Sequence, residues 1–131
     1  MPVRRASGGA MEVLLVTSRE TRRWVIPKGW PWPELADCDS AAGEAREEAG
    51  VLGSVETTGY GKYVYSKRHV AGTTEIAVDV FLLWVAEELD DWPERAERNR
   101  IWFSPVEAAA AVEEPQLRAL LLSLMDRAGQ D

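Results

Sequence analysis

The sequence predicts a mixed α/β (α+β) domain, and two features carry that expectation. The elements run strands, helix, strands, helices, and no repeat, linker or low-complexity tract divides the chain. Its 131 residues leave room for one buried core, so residues 1–131 are read as a single domain with a single site.

In order, Val3 to Ala6 reads as a short strand, Gly8-Gly9 as a turn, and Glu12 to Thr17 as a strand around Val13-Leu14-Leu15-Val16. Arg23 to Ile26 adds a short strand that Pro27-Lys28-Gly29 ends. Trp30-Pro31-Trp32-Pro33 continues as a stiff loop, because each proline fixes φ and removes a donor. A helix of about three turns is expected from Asp39 or Ser40, both good N-caps, to Gly50, a favoured residue just past a helix end. Gly59 to Ser66 and Ile76 to Ala86 are the longest strand candidates. The second is largely apolar on both faces and is therefore expected to lie centrally in the sheet, with Asp79 as the odd residue that needs a partner or an edge. Ser104-Pro105-Val106-Glu107 has capping-box spacing with proline at the first helical position. Leu117, Leu120, Leu121, Leu124 and Met125 mark the buried stripe of a last helix.

Composition narrows the function. The apolar runs are too short to span a bilayer. The basic pair Arg4-Arg5 has no apolar stretch behind it, which argues against a secretory signal and for the cytoplasm. Cys38 and His69 are the only residues of their kinds, so no intrachain disulfide and no ordinary Cys/His zinc set can form. A catalytic metal would have to use oxygen ligands, which favours magnesium, manganese or calcium. The formal charge of −7 argues against broad nucleic-acid binding, while a local basic patch or a bound cation still permits a small anionic substrate. No pattern marks a self-association surface, and a homodimer is left open.

Glu44, Glu47 and Glu48 stand at i, i+3 and i+4, which places them on one face of a helix. Like charges so spaced cost about 0.2–0.5 kcal/mol per contact on an exposed helix, and a hard divalent ion reverses that sign. A solvated acidic face would show the same spacing; the surrounding residues distinguish the two. The stretch from Gly29 through Glu44-Ala45-Arg46-Glu47-Glu48-Ala49-Gly50-Val51 resembles, without a gap, the Nudix box G-x5-E-x7-R-E-U-x-E-E-x-G-U, in which U is apolar. Gly29, Glu44, Ala45, Glu47, Glu48, Gly50 and Val51 match it. Leu35 stands where the motif has glutamate and Gly43 where it has arginine. Losing both together is electrostatically coherent if the two normally support one another. Gly43 also costs the helix about 1 kcal/mol relative to alanine and removes a donor that could orient a neighbouring glutamate, a role that another residue would have to take.

The resemblance extends to Trp24 through Pro31 and to Glu97 through Phe103, which are similar to the diphosphoinositol polyphosphate phosphohydrolase branch and its bacterial relatives. It implies a Nudix-type α/β/α sandwich around a mixed sheet. It also implies magnesium, with manganese as the alternative ion, held by Glu44, Glu47 and Glu48, and hydrolysis of a phosphoanhydride in a nucleoside-diphosphate derivative, a dinucleoside polyphosphate or a diphosphoinositol polyphosphate. A noncatalytic nucleotide or polyphosphate sensor on the same fold is the rival. Glu47, Glu48 or a glutamate of the later loop, where Glu94 and Glu97 lie, is the expected general base.

Lys28 and Gly29, in the turn before the carboxylate helix, are candidates for phosphate contact. Lys62, Lys67 and Arg68, with His69 beside them, and later Arg98 and Arg100, form basic groups in an acidic chain and are candidates for the substrate's distal phosphates. Trp24 and Trp102 are expected in the core. Trp30 and Trp32 either pack inward, the default, or flank a substrate.

Overall fold

The computed structural model describes residues 1–127. In order it contains β1 (Pro2–Arg5), β2 (Met11–Thr17), β3 (Trp24–Val25), α1 (Asp37–Ala49), β4 (Val51–Val55), β5 (Gly61–His69), β6 (Gly72–Val80), β7 (Leu83–Glu88), β8 (Arg100–Phe103), α2 (Pro105–Ala111) and α3 (Pro115–Ser123). Five strands follow one another across the main sheet as β3-β2-β1-β7-β4, and β8 also pairs with β2. The sheet is mixed, because β1 runs parallel to β7 while the remaining pairs are antiparallel.

The alternation of β2 divides the core into two layers. Val13 and Leu15 join Ala108, Leu117, Leu121 and Leu124 of the α2–α3 side. Leu14 and Val16 join Ala45 and Ala49 of α1. Helices thus cover both faces of the sheet, the expected α/β/α sandwich. Each fully buried leucine stabilises this arrangement by about 1.5–3 kcal/mol relative to exposure.

Several boundaries differ from expectation. The run Ile76 to Ala86 is not one central strand. β6 pairs only with β5, in a separate two-stranded ribbon, and β7 enters the main sheet between β1 and β4. The break falls at Phe81-Leu82, where the Met1 amino group donates to the Phe81 carbonyl at 2.8 Å and the Glu56 N–H takes the Leu82 carbonyl. Neighbouring chain, not apolar pattern, decides which ladder each half joins. β4 follows the helix directly and was not foreseen; it carries a register shift at Leu52/Gly53.

Helix α1 starts at Asp37, with Ala36 as an N-cap that makes no side-chain bond. Ser40, expected to cap, instead accepts the Trp32 backbone N–H at 2.8 Å, and Asp37 and Asp39 complement the positive helix start from its first turn. The other end is as expected, with Gly50 left-handed at φ 65°. The capping box of α2 also forms, with Ser104 and Glu107 bonding reciprocally at 3.1 and 3.2 Å. In the last stripe Leu117, Leu121 and Leu124 are buried, whereas Met125, past α3 in a 3-10 turn, is exposed.

Candidate active site

Helix α1 lies beside a cleft of about 270 Å³, walled on one side by Lys28, Gly29, Trp30, Asp37 and Glu44 and on the other by Tyr65, Ile76, Val78, Asp79 and Phe81 of the ribbon and its exit. Lys28 extends its ammonium over the Tyr65 ring, 4.3 Å from the centroid. Burial lowers that lysine's pKa, which Glu48 partly opposes.

The three helix carboxylates occupy different environments. Glu48 is 4% exposed and accepts the Lys28 backbone N–H at 3.2 Å. Its other oxygen lies 3.2 Å from Arg98, but that arginine also bonds Glu94 at 2.8 Å and the Thr17 carbonyl at 3.1 Å. Burial, followed by the Glu44 carboxyl beside it, pushes Glu48 up to about 8 despite Arg98. Glu44 accepts the Trp32 indole N–H at 2.7 Å and lies so close to Gly29 that a Cβ there would stand 2.4 Å from its carboxyl carbon. Glycine at position 29 thus leaves room for the Glu44 carboxyl, which a side chain there would displace. Glu47 is half-buried and its carboxylate makes no ion pair or hydrogen bond within the described residues, while its backbone carbonyl accepts the Glu94 N–H at 3.1 Å.

Among the described residues, no group of three or more Asp, Glu, His or Cys side chains forms a ready-made metal cage. An oxygen-lined site with two adjoining carboxyl groups, one of them buried and short of positive charge, still fits a hard divalent ion that keeps several waters and completes its shell with phosphate oxygens.

The structure sorts the remaining candidates. Lys28 and Gly29 line the cleft. Lys62 is exposed and pairs at 3.4 Å with Asp79, its cross-strand neighbour, so Asp79 is a rim residue rather than a buried one. Lys67 and Arg68 are exposed near the ribbon tip and lie outside the cleft lining. Arg98 and Arg100, expected to meet substrate, are turned inward. Arg98 serves Glu48 and Glu94, while Arg100 donates to the Ala49, Gly50 and Leu89 carbonyls at 2.7–3.2 Å and stacks on Trp92 at 3.9 Å. They act as braces because the segment from Glu94 to Arg100 folds against the end of α1, a long-range placement that spacing does not reveal. Trp24 and Trp102 pack at the edges of the two core layers. Trp30 is exposed at the cleft, and Trp32 packs over α1 rather than into the core. The sequence does not single out Tyr65 and Phe81 as cleft residues, because nothing in the strand pattern marks the ribbon's departure from the sheet.

No protein-family model matches the chain. Nudix hydrolase 17, mitochondrial, of Arabidopsis thaliana is 35% identical over 118 residues, covering 89% of this chain and 63% of that protein. Diphosphoinositol polyphosphate phosphohydrolase 3-alpha of Mus musculus is 34% identical over 106 residues, covering 78% of this chain and 60% of that protein. The chain therefore spans about three fifths of the length of these relatives. A solved Ap4A hydrolase complex from C. elegans shares the fold, with a TM-score of 0.66 at 18% identity over 94% of this chain and 89% of that one. Sequence likeness and fold together place the chain in the Nudix hydrolase superfamily.

Proposed function

We propose that this chain is a magnesium-dependent hydrolase of a phosphoanhydride bond, with manganese as the alternative ion and a nucleoside-diphosphate derivative or dinucleoside polyphosphate as the preferred substrate class. The observation that carries this reading is a pair of carboxyl groups, Glu44 lining the cleft and Glu48 beside it, outside the lining, 4% exposed and pushed up to about 8 by that burial. Such a pair calls for a cation, and divalent-ion use is general in the superfamily. A divalent ion bound by Glu44, Glu47 and Glu48 would supply Lewis-acid polarisation of the phosphorus and offset charge on the leaving phosphate.

The protein's own groups do the rest. The Lys28 ammonium attracts a phosphate at the cleft mouth, and Gly29 leaves its backbone open to close approach. Arg98 and the Lys28 N–H hold Glu48 in place. Glu47 and Glu48 are the candidates for accepting a proton from the attacking water.

The cleft wall itself supports the substrate class. Trp30, Tyr65 and Phe81 offer flat apolar surface, Asp37 and Asp79 offer acceptors, and Lys28 is the one cation among its lining residues. That inventory suits a base or other flat group joined to phosphates better than a ring carrying phosphate at every position. A diphosphoinositol polyphosphate would rely on Lys67 and Arg68 reaching over the rim. A cytoplasmic location belongs to the same proposal, and cell fractionation tests it; no helix among the described residues is long and apolar enough to cross a membrane.

The deciding experiment incubates purified protein and magnesium with nucleoside-diphosphate derivatives, dinucleoside polyphosphates and inositol pyrophosphates, following phosphate products. Magnesium-stimulated cleavage, strongest in the first two groups, is the expected result. Binding without cleavage across the panel would replace this reading with the noncatalytic sensor.

A further inference from the structure

Trp32 and Gly43 together define an arrangement that the motif does not describe. A Cβ placed on Gly43 would lie 2.7 Å from Cη2, 2.9 Å from Cζ3 and 3.0 Å from Cζ2 of Trp32. The six-membered ring of the indole therefore occupies the space that a side chain at position 43 would take. From there its Nε1 donates to Glu44 Oε1 at 2.7 Å. The loop is fixed at the same point, because the Trp32 backbone N–H donates to the buried Ser40 hydroxyl at 2.8 Å and its carbonyl accepts the Leu35 N–H at 3.2 Å. Glu44 is thus held by the indole N–H, in space that the missing side chain of Gly29 leaves open.

We infer that Trp32 is a positioning residue for Glu44 and that Gly43 is the vacancy that admits it, so that an indole performs in this chain the orienting task for which the motif uses an arginine. The partner of position 43 is position 32. Leu35, 44% exposed, contributes only its backbone N–H to the Trp32 carbonyl, not its side chain. A hydrogen bond from a neutral donor steadies the carboxylate without placing a cation beside it. An arginine would instead compete with an incoming ion.

This inference rests on the proposed ion-binding role of the helix carboxylates, and the test separates the two. Manganese affinity is measured directly by spin-resonance titration, alongside melting temperature, for the wild type and for Trp32→Phe, Gly43→Ala and Glu48→Gln. Trp32→Phe keeps a ring over Gly43 and removes the N–H; about a tenfold loss of affinity is expected, the lower end of what loss of an orienting partner costs. Gly43→Ala favours the helix yet pushes the indole off Glu44. With the helix gain set against the displaced indole, melting should change little while affinity falls, whereas a merely structural role would leave affinity at the wild-type value. If Trp32→Phe does not fold, Gly43→Ala decides alone. Wild-type affinity in either folded variant, with affinity lost in Glu48→Gln, overturns the positioning role only. Wild-type affinity in Glu48→Gln as well overturns the ion-binding reading itself.

Discussion

The contacts Arg23–Glu114 and Arg98–Glu48 use the same two kinds of side chain, both largely withdrawn from water, yet they move their carboxyl groups in opposite directions. Glu114 receives both arms of the Arg23 guanidinium, at 3.1 and 2.7 Å. Burial works to raise its pKa, but the arginine bonds and charge, with a backbone N–H, outweigh it and the net shift is downward. Glu48 has a single 3.2 Å contact from an arginine already committed to Glu94 and Thr17, and it faces Glu44, so its shift is upward, to about 8. One pair is complete within the chain. The other lacks positive charge, and that deficit is the difference between the proposed ion site and a purely structural brace.

The largest expected difference is in turnover. Glu48→Gln should lower magnesium-dependent kcat/KM by about 100-fold, the upper range for a metal-site change, while Glu114→Gln stays within about twofold; steady-state kinetics on one validated substrate compares them. Stability should rank the other way. Glu114→Gln leaves Arg23 facing a neutral amide and should cost about 2 kcal/mol, whereas Glu48→Gln replaces a carboxyl that must hold a proton to stay buried and should cost nothing or stabilise the ion-free protein. Urea unfolding in chelator measures both.

The pH dependence follows from the same contrast. In ion-free protein Glu48 keeps a proton that the unfolded chain releases above the ordinary value of 4.5, so its contribution is whole below 4.5 and lost as pH rises through about 8. Glu114 behaves oppositely: its contribution is present above 4.5 and lost as pH falls through its depressed folded value. Taken as differences from Glu48→Gln and Glu114→Gln, in which the opposing contribution of the buried Met1 amine, lowered to about 5, cancels, melting temperature should decline on both sides, and magnesium should flatten only the alkaline decline; calorimetry of the three proteins across pH with and without the ion checks this. The smallest effect belongs to Leu35→Glu. At an exposed position with no partnered charge it should change stability by less than about 0.5 kcal/mol and leave turnover unaltered, and additive behaviour with Gly43→Arg would exclude the 35–43 pairing suggested by the motif.

What the sequence revealed depended on how local the cause was. The end of α1 at Gly50 and the Ser104–Glu107 box involve residues within one turn, and both were legible. The start of α1 was not, because Ser40 spends its hydroxyl on Trp32 across the loop. The division of Ile76 to Ala86 was hidden because both halves are apolar and only the surrounding chain separates them. The carboxylate triplet could be read from spacing, but the inward turn of Arg98 and Arg100 depends on where a distant loop folds. In a charge-rich chain, a basic residue that braces and one that binds look the same until their acceptors are known.

The ribbon of β5 and β6 gives the cleft two walls that are anchored differently. The α1 wall is tied to the sheet core through Ala45 and Ala49 and at its end by Arg100. The opposite wall hangs on two strands that share no ladder with the sheet; Tyr63 and Val80 are buried at their base, while residues 66–75 are exposed at their far end. One wall is thus set by the sheet, and the length and twist of the ribbon set the other while the helix carboxylates stay in register.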